Sequence, residues 1–403
     1  MRHFMRTCAL SASAAAALGA ADGSMQLRHL QVVHRHGDRT PLTPLADKEY
    51  WAGVIPSQGE LDRLAVGTTV VRTDAANAPH PAAGDGVFGT LSLRGVEMMR
   101  VGGLRLREQY PDFIPPSPSP ESVRVHCTDF PRTLQSVQAL LQGLFPAGHA
   151  TTVEIDATRT EQMIPDAVPR VSREQEELES AVLRSEAVLR HASEVEPLRQ
   201  RYSEVLLQEG TLDPSAFKMA GVGAGDEAGT VLSWNKLAEV LKCLQAYGRL
   251  PAGLSDDDVK QASGAGAHRW TALMRERRLA QLAMGRMASS IVASARAAAL
   301  DDGSAERLVL WSGHDSTLFG LLAVFELDAP AAWPPYGSQL HVELLEEKVG
   351  TEARPRGFYL RFSLNGESLR CALVDAAAPT PLLALDAAAH AAIEWEQTCA
   401  AAV

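Results

Sequence analysis

The strongest constraint on this chain is a pair of strand-like apolar segments far apart in it, each stopping abruptly in a cluster of imidazole and charged side chains. MQLRHLQVVH (25–34) alternates and then turns continuously apolar, the pattern of a strand buried on both faces, and it runs into RHGDRTP. AERLVLWS (305–312) has the same character and runs into GHDST, ahead of the helical stretch STLFGLLAVF (316–325). Between them, SVRVHC (122–127) is a third short strand, followed by TDFPRTLQSVQALLQGLF (128–145), a helix with Thr128 or Asp129 as its cap.

This alternation argues for an α/β class: a three-layer core with a central, mainly parallel sheet flanked by helices. From about Val153 the texture changes to charged helical periodicity, in SREQEELESAVLRSEAVLRHASEVEPLRQRYSEVLLQ and again in WNKLAEVLKCLQAYG. The expected organisation is therefore a core over 24–150 and 300–403, with a mostly helical cap inserted at 151–299. Thr43 to Gly89, rich in Pro, Gly and Ala, reads as long loops over a site. HVELLEE and GFYLRFSLNGES near the end read as an antiparallel pair.

The first residues need separate treatment. MRHFMR is basic, Thr7 to Ala21 is small and mildly apolar, and the first acid is Asp22. Residues 1–23 thus read as a signal or transit peptide. The former implies secretion or an endomembrane lumen, the latter a mitochondrion or other organelle. Beyond it, Cys127, Cys243, Cys371 and Cys399 form no C-x-x-C zinc spacing; a Cys371–Cys399 bond and free buried thiols are both open. No segment approaches 18 apolar residues, so no transmembrane helix is expected. A net charge of −11 argues against nucleic acid and anionic membranes as partners, but leaves room for a small cationic pocket.

The two strand ends supply such a pocket. Ligands of open α/β sheets sit beyond the carboxyl ends of strands, where helix N-termini offer N–H groups to anions. Arg35 and Arg39 are permanent, fork-shaped cations suited to phosphate; His36 offers a nucleophilic nitrogen, His314 another cation or donor, and Asp315 a carboxyl able to protonate a leaving oxygen. His34 reads as a packed histidine beneath the site. Its H-x-H spacing with His36 also suits a metal-dependent hydrolase, a reading that lacks further ligands.

The seven-residue run R-H-G-D-R-T-P (Arg35 to Pro41), with the distal His314–Asp315, resembles the histidine acid phosphatases, a branch of the histidine phosphatase superfamily. RHGDRTPLTPL, LREQYPDFIP, CTDFPRTLQSVQALLQGLF and GHDSTLFGLL…WPPYGSQLHVELLEE are most similar to its lysophosphatidic acid phosphatase subgroup. The resemblance implies a metal-independent and cofactor-independent enzyme acting on phosphate monoesters. His36 would form a phosphohistidine, Asp315 would protonate the departing alcohol, and Arg35, Arg39 and His314 would surround the phosphoryl oxygens. Gly37 would let backbone approach the anion, and Pro41 would start the next helix.

The family pattern as read here places a third phosphate-binding arginine just before S-T-D, where this chain has His126 before Cys127-Thr128-Asp129. His126 is accordingly expected at the phosphate, with Arg124 on the same strand face behind it. Two other readings stay open: a phytase-like enzyme, against which Thr317 stands in an H-D-x-T context, and a binding-only pseudo-phosphatase, supported by His126 alone. Residues do not fix the leaving group or the oligomeric state.

Overall fold

The computed structural model describes residues 25–72, 86–146, 152–165, 172–213, 231–300, 306–329, 332–348, 357–373 and 382–401. The leader expected over residues 1–23 lies outside them.

The strands are β1 (Met25–Arg35), β2 (Thr68–Val71), β3 (Val123–Cys127), β4 (Val153–Asp156), β5 (Leu308–Gly313), β6 (Gln339–Glu347), β7 (Phe358–Leu364), β8 (Glu367–Leu369) and β9 (Leu383–Ala384). They form one sheet in the order β2-β4-β3-β5-β1-β6-β7-β8, with β9 also on β7. The β2-β4-β3-β5-β1 half is parallel, and β6 turns the sheet antiparallel. The expected antiparallel pair is β6–β7, and the Asn365–Gly366 turn into β8 has positive φ at both residues, as a two-residue hairpin turn requires.

Alternation along β1 sends Val32 and Val33 to opposite faces, both fully buried. Val32 joins Val125 and Leu310 under α3 (Leu93–Gln109) and α4 (Pro131–Leu144). Val33 joins Trp311 under α10 (Arg277–Leu300), α11 (Asp315–Val324) and α12 (Leu385–Ala401). Burial of each such side chain contributes about 1.5–3 kcal/mol, which is why β1 reads as a continuous apolar run.

Remaining helices are α1 (Lys48–Ala52), α2 (Gln58–Ala65), α5 (Thr160–Met163), α6 (Arg173–Leu183), α7 (Glu186–Gln208), α8 (Trp234–Ala246) and α9 (Asp256–Arg275). The cap is built from α6 to α9 and has its own apolar centre, with Tyr202, Leu206, Leu237 and Leu241 closing on Leu45, Trp51 and Phe88 from the chain after β1.

Two features depart from the sequence reading, and a third decides an alternative it left open. Within 151–299, β4 is a strand of the core sheet, and α10 lies on that sheet through Met284, Met287 and Ile291. Periodicity identifies an apolar helix face but not the body that covers it. The 43–89 stretch contains α1, α2 and β2, elements too short to impose a period. All four described cysteines are buried thiols outside any disulfide; Cys371 Sγ points to Phe325 O and Cys399 Sγ to Gln281 O.

Candidate active site

Strands β3, β5 and β1 lie side by side and parallel, so their carboxyl ends open on one place. Arg35 pairs with Gly313 and Cys127 with Ser312, and the His36 N–H donates to Gly313 O at 3.0 Å. His36, Thr128 and His314 therefore leave the sheet together. Helices α4 and α11 begin here and aim their N-termini at the same space.

The first turn of α4 is stitched to the strand ends. Ser312 Oγ donates to Thr133 O at 2.7 Å, Ser136 Oγ accepts from the Gly37 N–H at 3.0 Å, and Pro131 occupies the opening of the helix. Gly37 matters for packing: a Cβ there would stand 2.6 Å from the backbone oxygen of Gly95 in α3. Its small size serves the close approach of the segment after β1 to α3. Pro41 opens no helix; its carbonyl accepts from the Gly89 N–H at 2.8 Å.

His36 Nδ1–H donates to Gly37 O at 2.8 Å, which leaves Nε2 with the lone pair. Burial, then Arg132, Arg35, Arg39 and His314, hold its pKa well below the ordinary 6.5. The imidazole is neutral, hence nucleophilic, far into the acid range.

His314 Nε2 lies 3.0 Å from Thr128 Oγ1, which donates to Thr133 Oγ1. Burial and Arg132 depress its pKa as well, so it presents an N–H or a lone pair rather than a standing charge. Its backbone N–H is held by Thr317 Oγ1, whose own hydroxyl donates to Met163 O; Thr317 is thereby tied into the start of α11.

Arg35 donates to Pro334 O at 2.6 Å and to Asp315 Oδ2 at 2.8 Å, with its guanidinium 4.0 Å above the Tyr336 ring centre. Asp315 Oδ2 also accepts from Trp333 Nε1 at 2.7 Å. Burial raises the Asp315 pKa, but Arg35, the Trp333 N–H, His314 and Arg39 outweigh it and bring it down to about 2. Arg39 reaches Glu239 of α8 at 2.7 Å, and the same carboxylate oxygen accepts the Leu42 N–H.

The third guanidinium is that of Arg132, in the first turn of α4. It sits on the Phe130 ring at 4.6 Å and places Nη2 3.5 Å from His314 Nδ1. Burial and Arg39 push its pKa down to about 9. The buried Nε–H groups of Arg35, Arg39 and Arg132 have no hydrogen-bond partner among the described residues. An anion with several acceptor oxygens satisfies all three.

His126 does not join this group. It pairs with Trp311, which pairs with Val33, three positions short of His36 and so on the order of 10 Å back along the strands. Its ring stacks on Trp311 at 4.2 Å, and Nδ1 meets Asp156 Oδ2 at 3.1 Å. That contact, with bonds from Thr158, holds the Asp156 carboxyl below the usual range. Arg124 pairs with Glu306 on the same side of the sheet. The cation expected from the residue before C-T-D comes instead from the helix after it. The sequence signal for it is an arginine in the first turn of a helix leaving a strand end.

Sequence reasoning also missed Tyr336, Glu239 and the part Trp333 plays, because all three reach the site from the cap or a late loop. His34 lies below, buried, with its pKa lowered to about 4 by burial. Among the described residues no cluster of three or more His, Cys, Asp or Glu is arranged to hold a metal.

Two imidazoles, three guanidiniums and a carboxyl converge at parallel strand ends, an arrangement suited to binding a phosphate. The sequence signature of the histidine phosphatase superfamily (branch 2) matches residues 26–215 of the chain, and the chain is similar to acid phosphatases. It is 28% identical over 339 residues to the human (Homo sapiens) testicular acid phosphatase, covering 81% of this chain and 69% of that one. Over 141 residues, 30% of this chain and 31% of the other, it is 33% identical to the human lysophosphatidic acid phosphatase type 6. The fold matches that of the Hafnia alvei phytase in complex with tartrate at a TM-score of 0.63 and 15% identity, over 94% of this chain and 99% of that one. No described helix is long and apolar enough to cross a membrane.

Proposed function

We propose that the chain hydrolyses phosphate monoesters through a phosphohistidine on His36, with lysophosphatidic acid as a candidate substrate. The observation that carries the mechanism is the tautomer of His36. Its Nδ1–H is fixed on Gly37 O, so a neutral Nε2 lone pair faces the cluster of guanidiniums. In the first step an Nε2–P bond forms, the P–O bond to the alcohol breaks, and Asp315 gives the alcohol its proton. In the second, water adds to phosphorus, the N–P bond breaks, and the water proton passes to Asp315.

Asp315 is ionised in the free site, so its proton arrives with the substrate. A phosphate monoester monoanion carries one below its second pKa of about 6. Arg35, Arg39 and Arg132 supply charge for the equatorial oxygens, which makes the chemistry independent of a metal. Arg132 also removes the support for a binding-only reading, since that rested on the lack of a third arginine.

The substrate reading rests on the partial likeness to the type 6 enzyme. The leader-like residues 1–23 support a site of action in a secretory compartment, with a mitochondrion or other organelle as the alternative. The deciding experiment is rapid acid quench of the protein with 32P-labelled substrate. Wild type should yield an acid-labile phosphoryl-protein, and His36→Ala should yield none and lose at least ~10³-fold in turnover. Near-normal turnover by His36→Ala refutes the covalent mechanism. Comparison of lysophosphatidic acid with p-nitrophenyl phosphate and sugar phosphates tests the substrate.

A further inference from the structure

One cation beside the site takes no part in the mechanism above. Lys242 projects from α8 of the cap, half-buried, with Nζ 4.9 Å from the centre of the Trp333 ring. That ring donates its Nε1–H to Asp315 Oδ2. Lys242 thus lies over the face of the ring whose N–H edge holds the carboxyl assigned to protonate the leaving oxygen. The charges that act on it are Arg35 from β1 and Asp315 from α11, with the Cys243 thiol beside it on α8. Glu239, the carboxylate one turn earlier on α8, is committed to Arg39 and the Leu42 N–H.

No described carboxylate forms an ion pair with Lys242. Burial and Arg35 push its pKa down to about 7, so a nearby anion is needed to hold its full charge. A general acid contacts the ester oxygen, which brings the alcohol beside Asp315 and its Trp333 partner and so toward Lys242.

We propose that Lys242 reads the leaving group, binding an anionic oxygen on the alcohol and selecting monoesters whose alcohol carries a carboxylate or second phosphate. This rests on the phosphatase reading of the same site. The cap thereby supplies specificity and the core supplies chemistry. Trp333 couples the two, since it carries Lys242 on its face and Asp315 on its N–H.

The test uses two substrates with one carbon skeleton, 3-phosphoglycerate and glycerol 3-phosphate, which differ only in a carboxylate against a hydroxymethyl group. At pH 6, kcat/KM of the full chain should favour 3-phosphoglycerate by at least about tenfold, the scale of one charge-assisted hydrogen bond. Lys242→Met and Lys242→Gln should erase that preference while changing glycerol 3-phosphate and p-nitrophenyl phosphate by less than about threefold. Absence of the preference in wild type overturns the proposal without any variant. Its survival in both variants, or an equal loss on all three substrates, does so too. If p-nitrophenyl phosphate is not turned over at all, the phosphatase reading is what fails. Calorimetric binding of the same two esters then decides Lys242, with equal affinities overturning its role.

Discussion

The Arg35 guanidinium and the Asp315 carboxylate meet at 2.8 Å, although one ends the early strand β1 and the other follows the late strand β5. The pair holds the acid ionised in the free protein. A phosphate that engages Arg35 weakens that hold and raises the Asp315 pKa, so the acid becomes able to carry a proton when substrate is bound.

Asp315→Asn should therefore cost alkyl phosphates orders of magnitude more than p-nitrophenyl phosphate, whose leaving group needs little protonation. For the wild type on alkyl esters, kcat/KM should fall as pH rises past about 6, where the monoanion disappears. The depressed His36 pKa keeps the nucleophile neutral on the acid side. Equal losses on both substrates argue against Asp315 as the acid.

Arg132 and His126 make a matched pair for mutagenesis. Arg132→Ala should lower kcat/KM by roughly 10²–10³, the scale for removing one donor to developing charge. His126→Ala should leave turnover within a few-fold and cost about 1–3 kcal/mol of stability, through the lost Trp311 stacking and Asp156 contact. Steady-state kinetics and urea unfolding of both variants separate the two roles.

Three histidines outside the site set an acid limit. His29, His34 and His341 each have a pKa lowered to about 4, with burial as the main cause. Their unfolded value is near 6.5, so below that pH the unfolded chain binds protons that the folded chain refuses. Their contribution is intact above about 6.5 and is lost progressively as pH falls toward 4, by up to about 3 kcal/mol for each. Urea midpoints should drop between pH 7 and pH 4.5, and His29→Gln should flatten that slope. A midpoint independent of pH over this interval contradicts the burial argument.

Activity should withstand EDTA, because guanidiniums and helix N-termini supply the positive field on the transferring group. Loss on chelation with recovery on zinc or manganese would establish the H-x-H metal reading instead.

Part of this protein was legible one residue at a time. Continuous apolar runs ending in Arg35, His36, Arg39 and in His314, Asp315 announced buried parallel strands and their carboxyl-end chemistry, because burial on both faces leaves a local signature. The β6–β7 pair was local in the same way. The third guanidinium was not: Arg132 is brought beside His314 by strand register and by the seating of α4 on Ser312 and Gly37. The same register holds His126 a few rungs back, where its chemistry is spent on Trp311 and Asp156. Nor does periodicity say that α10 covers the sheet while α8 brings Glu239 and Lys242 to the site. Which body covers an apolar face, and which side chains converge across it, depends on contacts between residues distant in the chain, and those exist only once the sheet has closed.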